Sequence, residues 1–272
     1  MPKIAVFGIT GRMGQCLVRA LREPPPAGER PAQRLQLCGA VASAASTHLG
    51  EDAALAGPAT GVRITAEPLA ALGEAAVAID FSLPHGIAEH VEACVERRVA
   101  LLVGSTGFDA ATRRELESAA RAIAVLLAPN LSFGVAVMTH VLEVAARALG
   151  GGYDAEIVDV HHRMKRDAPS GTALAWGEAI ARARGARLSE LAVFDRHGSG
   201  VPRAPGSIGF ASLRLGDVVG EHTAVLAADG ERLELIHRAQ DRMVFARGAL
   251  TAAGWLLGRP AGLYGMRNVL GF

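Results

Sequence analysis

Through the first 127 residues, short apolar runs alternate with stretches of helical periodicity, and that alternation leaves few folds open. Strands are expected at Lys3–Phe7, Leu35–Val41, Val77–Phe81, Ala100–Val103 and Ala124–Leu127. Helices are expected between them, near Arg12–Leu21, His85–Arg97 and Asp109–Ala122. Strands this short and this uniformly apolar are covered on both faces. Strands joined through helices pair in parallel, because the crossover returns the chain to the same end of the sheet. The expected class is α/β with a doubly wound parallel sheet.

The second half reads differently. A helix over Val135–Leu149 leads to a strand at Ala155–His161 and a helix at Thr172–Ala183. Strand-like runs follow at Ile208–Leu213, Thr223–Ala227 and Arg232–His237, separated by "RLGDVVGE" and "AADGE". Successive strands with short turns make a mixed or antiparallel sheet, hence an α+β unit. From Arg242 the chain is helical again and is expected to rejoin the first domain. A length of 272 residues, at roughly 150 per domain, suits two domains. We place them at 1–129 with 242–272, and at 130–241. Residues 23–34, "EPPPAGERPAQR", read as an exposed connection.

Composition narrows the partners. Half the residues are hydrophobic and a fifth charged, which supplies a core and excludes disorder. A net charge of +1 gives no reason to expect a nucleic-acid or membrane partner. Cys16, Cys38 and Cys94 are far apart in segments that read as buried, with no metal-ligand spacing. No metal is expected, and a reducing cytoplasm is. The chain enters a strand at once, "MPKIAVFG", without a leader pattern. Ala122–Leu142 lacks Asp, Glu, Lys and Arg, but Pro129, Asn130 and Ser132 interrupt it, so strand, loop and helix are expected rather than a span.

Three loops fall at the carboxyl ends of expected strands, where open α/β sheets bind ligands. "GITGRMG", Gly8–Gly14, follows the first strand and opens the first helix. Its glycines allow a tight turn and close approach to a pyrophosphate, and the helix start adds free N–H groups. Gly8, Ile9, Thr10, Gly11, Arg12 and Met13 are therefore expected at a dinucleotide. "GSTGF" (Gly104, Ser105 and Thr106 at its head) and "APNLSFG" (Ala128, Pro129, Asn130 and Leu131 at its head) offer uncharged polar groups that suit a nicotinamide amide. Plain βα turns are the alternative reading of those two loops.

The stretch with the most chemistry is "HHRMKRDAPSGTA", 161–173. Ser170, Gly171 and Thr172 stand before an apolar-periodic run, as an N-cap with exposed amides does, and such an end holds anions. Lys165 adds mobile charge, and His161 and His162 add protons that exchange near neutral pH. A carboxylate at the helix start, flanked by an imidazole and an ammonium, suits reduction of an electron-poor anion. A solvated basic loop is the alternative for the charge run taken alone.

With "GITGRMG", "DFSLPHG", "GSTGF", "APNLSFGV", "GEHT" and "GLYGMRNVL", the segment "EIVDVHHRMKRDAPSGTA" resembles the dihydrodipicolinate reductases of lysine biosynthesis from the first strand to the last residues. The resemblance implies a Rossmann domain, a substrate domain whose mixed sheet assembles a homotetramer, and hydride transfer from NADH or NADPH to a small cyclic dicarboxylate. It further implies that His161 is the general acid/base and Lys165 the proton donor. His162 and the Gly171 and Thr172 amides would bind the substrate carboxylates, with Ser170 beside them and Arg242 as a further contact. Two positions depart from the family pattern. Asp159 stands where glutamate is usual, and Ala42 and Ser43 stand where an acidic residue and an arginine read the adenosine ribose. A reductase of another small amino-acid-related substrate would share the first domain without needing the 161–173 site. A non-catalytic dinucleotide sensor would keep the glycine loop and lose Lys165 or the histidines.

Overall fold

The computed structural model describes residues 1–24, 34–198 and 200–272, so most of the expected 23–34 connection lies outside the described residues. In chain order, β1 (Lys3–Phe7), α1 (Arg12–Ala20), β2 (Gln36–Val41), β3 (Ile64–Thr65), α2 (Pro68–Ala71) and β4 (Val77–Asp80) come first. Then follow α3 (Ile87–Arg97), β5 (Ala100–Val103), α4 (Ala110–Ala119), β6 (Ala124–Leu127) and α5 (Phe133–Leu149). After these come β7 (Asp154–His161), α6 (Gly171–Ala183), α7 (Leu188–Leu191), β8 (Ala192–Val193), β9 (Ile208–Arg214), β10 (Gly220–Ala228) and β11 (Glu231–Ala239). The chain closes with α8 (Met243–Leu256), β12 (Gly262–Tyr264) and α9 (Met266–Leu270).

Two compact units result. One holds Met1–Ser132 and Arg242–Phe272, the other Phe133–Asp241, so the first boundary falls after Ser132 rather than at 129. In the first unit the strands form one parallel sheet in the order β12-β6-β5-β4-β1-β2-β3. Strand order reverses on the two sides of β1, which makes its carboxyl end a ligand crevice. Ile4, Val6, Ile79, Leu101, Leu102 and Val125 are fully buried. Side chains on both faces of the sheet are thus covered, which is why its strands read as unbroken apolar runs.

Three short strands escape a periodicity reading. β3, β8 and β12 have two or three residues each, and Gly262–Tyr264 lies in a stretch expected to be helical. β12 pairs with β6 and extends the parallel sheet. Cys16 and Cys38 are only partly buried, a correction to the expectation for all three cysteines; Cys94 is in the core.

The second unit is built on a mixed sheet in the order β11-β10-β7-β9-β8, in which β10 runs antiparallel to β7 and β9 runs parallel to it. Helices α5 and α6 pack on it, with Trp176, Ile180, Ile157, Phe210 and Leu226 at the centre of the core. The helix from Phe133 is long and apolar enough to cross a membrane by length and composition. Within the unit it carries a polar anchor: buried Glu143 accepts from Arg147 and Arg182, and Thr139 accepts from the Trp176 indole at 3.1 Å.

Candidate active site

In the first unit the loops after β1, β4, β5 and β6 are fitted to one another by missing side chains. Gly8 has φ +76°, a left-handed turn that glycine adopts at no steric cost, and a Cβ there would lie 2.7 Å from the Phe81 carbonyl oxygen. A Cβ on Gly14 would overlap the Ile9 carbonyl oxygen, so this glycine lets α1 start hard against the β1 turn. The amides of Gly8 and Ile9 both donate to the Val41 carbonyl, at 2.9 and 3.0 Å. Gly104 leaves room for the Phe81 ring and for Leu131, whose Cδ1 a Cβ would approach to 2.9 Å. Gly11 sits at the N-cap of α1 with no side chain capping the helix. Arg12 and Met13 therefore present helix-start amides, and such an end favours anions through hydrogen bonds and the dipole.

The structure separates the roles of the expected cofactor residues. Ile9 is fully buried and Ala128 and Leu131 nearly so, which makes them walls of the loops. Thr10, Gly11, Arg12, Thr106, Pro129 and Asn130 keep accessible surface. The Ser105 hydroxyl donates to the Ser82 carbonyl at 2.8 Å and so braces the β4 loop. Asn130 Oδ1 accepts from the Ser132 amide at 2.8 Å. Two residues given no role by sequence reasoning hold the β4 loop. Buried Asp80 accepts from the Ser82 amide at 2.7 Å and from His90 Nδ1 at 2.8 Å, and His90 stacks on Phe7. Glycines and a cap were legible in sequence; the pairing of a strand-end aspartate with a histidine ten residues on was not.

In the second unit, β7 delivers His161 at its carboxyl end. Period-two alternation puts Asp159 on the same face, and Asp159 Oδ2 is 2.9 Å from His161 Nδ1. The ladder then adds partners from β9, where Ser212 lies opposite Asp159 and Arg214 opposite His161. Ser212 Oγ donates to Asp159 at 2.6 Å and Arg214 at 2.9 Å. Burial pushes the Asp159 carboxyl up, but the hydrogen bonds from His161 and Ser212 and the Arg214 charge outweigh it, and its pKa falls to about 2. An ionised carboxylate only accepts, so His161 Nδ1 is the donor and Nε2 is left for chemistry. A Cβ at Gly220 would stand 3.1 Å from that Nε2; glycine keeps the space open.

The turn after β7 returns the chain to α6. The Lys165 amide donates to the His162 carbonyl at 3.0 Å, and the Lys165 ammonium pairs with Asp167 at 2.9 Å. Ser170 is the N-cap of α6, its Oγ accepting from the Ala173 amide at 3.2 Å. Gly171 and Thr172 supply the first amides of that helix. His222, from β10, lies opposite Asp159 in the ladder, and its Nε2 is 2.9 Å from Ser170 Oγ. Thus His161, His162, Lys165, Ser170, Gly171 and Thr172 belong to one continuous strand-turn-helix, while Arg242 heads α8 in the first unit. Ser212, Arg214, Gly220 and His222 were missed as site residues, because only strand register brings them there. Among the described residues no group of three His, Cys, Asp or Glu is placed to hold a metal.

Comparison with known proteins agrees over the whole chain. The family model described as "Dihydrodipicolinate reductase, N-terminus" matches residues 2–131, and "Dihydrodipicolinate reductase, C-terminus" matches 134–270. A 4-hydroxy-tetrahydrodipicolinate reductase from Neisseria meningitidis serogroup C is 46% identical over 99% of this chain and 97% of its own. The protein of the same name from Burkholderia lata is 46% identical over 99% of each. Among solved structures, the dipicolinate-bound dihydrodipicolinate reductase from Paenisporosarcina sp. TG-14 has the same fold. Its TM-score is 0.73 at 22% identity, over 98% of this chain and 99% of that one. With both halves matched and relatives this similar at full length, the chain belongs to the dihydrodipicolinate reductase family.

Proposed function

We propose that this protein reduces 4-hydroxy-tetrahydrodipicolinate to tetrahydrodipicolinate with NADH or NADPH, in diaminopimelate and lysine biosynthesis. The observation that carries this reading is the His161–Lys165–Ser170 strand-turn-helix, in a chain otherwise 46% identical to reductases of that name. The first unit serves as dinucleotide-binding domain and the second as substrate-binding and assembly domain. The glycine cradle fits a dinucleotide, since Cβ atoms at Gly8, Gly14 and Gly104 would close it. Gly11, Arg12 and Met13 would hold the diphosphate, with the loops at Gly104–Thr106 and Ala128–Leu131 toward the nicotinamide. The bound cofactor supplies a hydride.

The reaction replaces a ring hydroxyl by hydrogen, consuming one hydride and one proton and releasing one water. The chain's own residues account for the remaining work. A substrate carboxylate at the start of α6 meets the Gly171 and Thr172 amides and the Ser170 hydroxyl, and exchanges with Asp167 for the Lys165 ammonium. His162 adds a further donor contact. Holding the dicarboxylate this way fixes the reacting carbon and removes the entropy cost of finding it. Asp159 holds the His161 tautomer so that Nε2 takes or gives the proton, with Lys165 as proton donor; both act within the general acid/base pattern.

The second sheet supports a homotetramer. On the face away from His161 it presents Val158, Val160, Thr223 and Val225, with Leu213 and Ile236 each more than 40% exposed. An apolar sheet face of this extent fits a copy of itself. The compartment proposed for such an enzyme is the reducing cytoplasm. The reading is tested with pyridine-2,6-dicarboxylate, a planar dianion of the substrate's shape. It is expected to compete with substrate and not with cofactor, and titration calorimetry on the enzyme–cofactor complex that shows no binding at millimolar ligand overturns the carboxylate assignment.

A further inference from the structure

We infer that His222 is a positioning residue for substrate binding: it orients the Ser170 hydroxyl so that its proton is available to a substrate carboxylate. This rests on the reading of Ser170 as part of the carboxylate site. His222 is 3% exposed and its Nε2 lies 2.9 Å from Ser170 Oγ. Its other ring nitrogen, Nδ1, is buried without a hydrogen-bond partner. The imidazole is neutral, because burial above all, with repulsion from any charge on His161, His237 and Lys165, depresses its pKa to about 3 against the pull of Asp159. A neutral imidazole carries one N–H, so the two tautomers differ in what they leave unsatisfied.

With the proton on Nδ1, a buried donor would face no acceptor, the arrangement folded proteins avoid most. With the proton on Nε2, the imidazole donates to Ser170 Oγ and only a lone pair at Nδ1 is idle. The second tautomer is therefore the native one. Ser170 Oγ then accepts twice, from His222 Nε2 and from the Ala173 amide at 3.2 Å. Both its lone pairs are used, and its own O–H is left to donate. Tetrahedral geometry at oxygen aims that proton away from both donors. The same ring packs edge-on against His161, with centroids 5.1 Å apart, and lies 5.6 Å from the Trp176 ring. His222 is thus fixed by packing, uncharged beside the catalytic imidazole, and spends its one proton on the serine.

The side-chain amides give a clean test, because glutamine places its NH2 near Nε2 and asparagine places it near Nδ1. His222→Asn is expected to raise KM and the dissociation constant for pyridine-2,6-dicarboxylate by about tenfold or more, the worth of one hydrogen bond to a charged group. Its kcat should fall by less than about threefold, and His222→Gln should restore both constants to near wild type. Ser170→Ala should show the same loss, and the Ser170→Ala/His222→Asn double variant no more than either. Equal losses in the Asn and Gln variants, or none, overturn the proposal. If Ser170→Ala leaves binding intact, the reading of Ser170 as a substrate contact fails instead. A measurement that needs no variant settles the tautomer: nitrogen-15 spectra of histidine-labelled holoenzyme should show the His222 proton on Nε2, and a proton on Nδ1 overturns the proposal.

Discussion

His161 donates a hydrogen bond from Nδ1 to ionised Asp159, so the acid/base role proposed for this residue falls to Nε2. Asp159 reaches His161 at 2.9 Å because both side chains rise from one strand face, and Ser212 and Arg214 donate to it as well. Replacing Lys165 or His161 by alanine is expected to lower kcat by about 10²–10⁴-fold, the range for groups that transfer protons in the transition state. Both variants should keep the fold, which circular dichroism and thermal unfolding will report; a variant with wild-type kcat refutes the role given to its residue. His161, His162, Lys165 and Ser170 were legible in sequence since ten residues of chain hold them. Asp159 was visible only as a departure from pattern, although its i, i+2 spacing from His161 on a strand announces a shared face. His222 lay in plain sight in "GEHT", but nothing local says that a histidine on β10 meets a serine fifty-two residues earlier.

At the scale of elements, the parallel sheet was readable because β1, β2, β4, β5 and β6 are buried on both faces and so write themselves as apolar runs. The strands that escaped, β3, β8 and β12, are too short to show a period. The mixed sheet was foreseen as strands and turns, yet its order was not, since register is a property of pairs. The proposed cofactor choice rests on the loop after β2. Ala42 is buried there and Ser43 exposed, and the Ser46 hydroxyl accepts from the His48 amide, so no acidic group awaits a ribose 2′-hydroxyl at these positions. Arg12 is exposed at the first position of α1, and we propose it as the cation that meets a 2′-phosphate. One exposed charge pair contributes at most about 1 kcal/mol, less than a tenfold preference. Both cofactors should therefore support turnover, with kcat/KM for NADPH ahead by less than about tenfold. A strong preference for NADH would show that residues outside this loop read the ribose.

For the whole molecule, the buried cluster at the start of α6 ties stability to acidity. The folded state holds His222 near pKa 3, against 6.5 for a free histidine, so between these values the unfolded chain binds a proton that the native protein refuses. Stability from this group is complete above pH 6.5 and is lost as pH falls toward 3. Asp159, lowered to about 2 from 3.8, acts in the same sense at more acid pH, and His237, lowered by burial, adds to the upper window. His161 and Lys165 also face His222 and repel its charged form. The urea midpoint should therefore drop between pH 6.5 and 4.5, and His222→Gln should flatten that slope while His237 leaves a remnant; identical slopes contradict the account. The central claim, that this chain reduces 4-hydroxy-tetrahydrodipicolinate, is tested most directly by one coupled assay. Substrate is generated from pyruvate and aspartate semialdehyde by dihydrodipicolinate synthase, and NAD(P)H absorbance is followed on adding the enzyme. Oxidation is expected to depend on the synthase, to follow substrate stoichiometrically and to collapse in Lys165→Ala. No synthase-dependent oxidation with either cofactor, from protein shown to be folded, would contradict it.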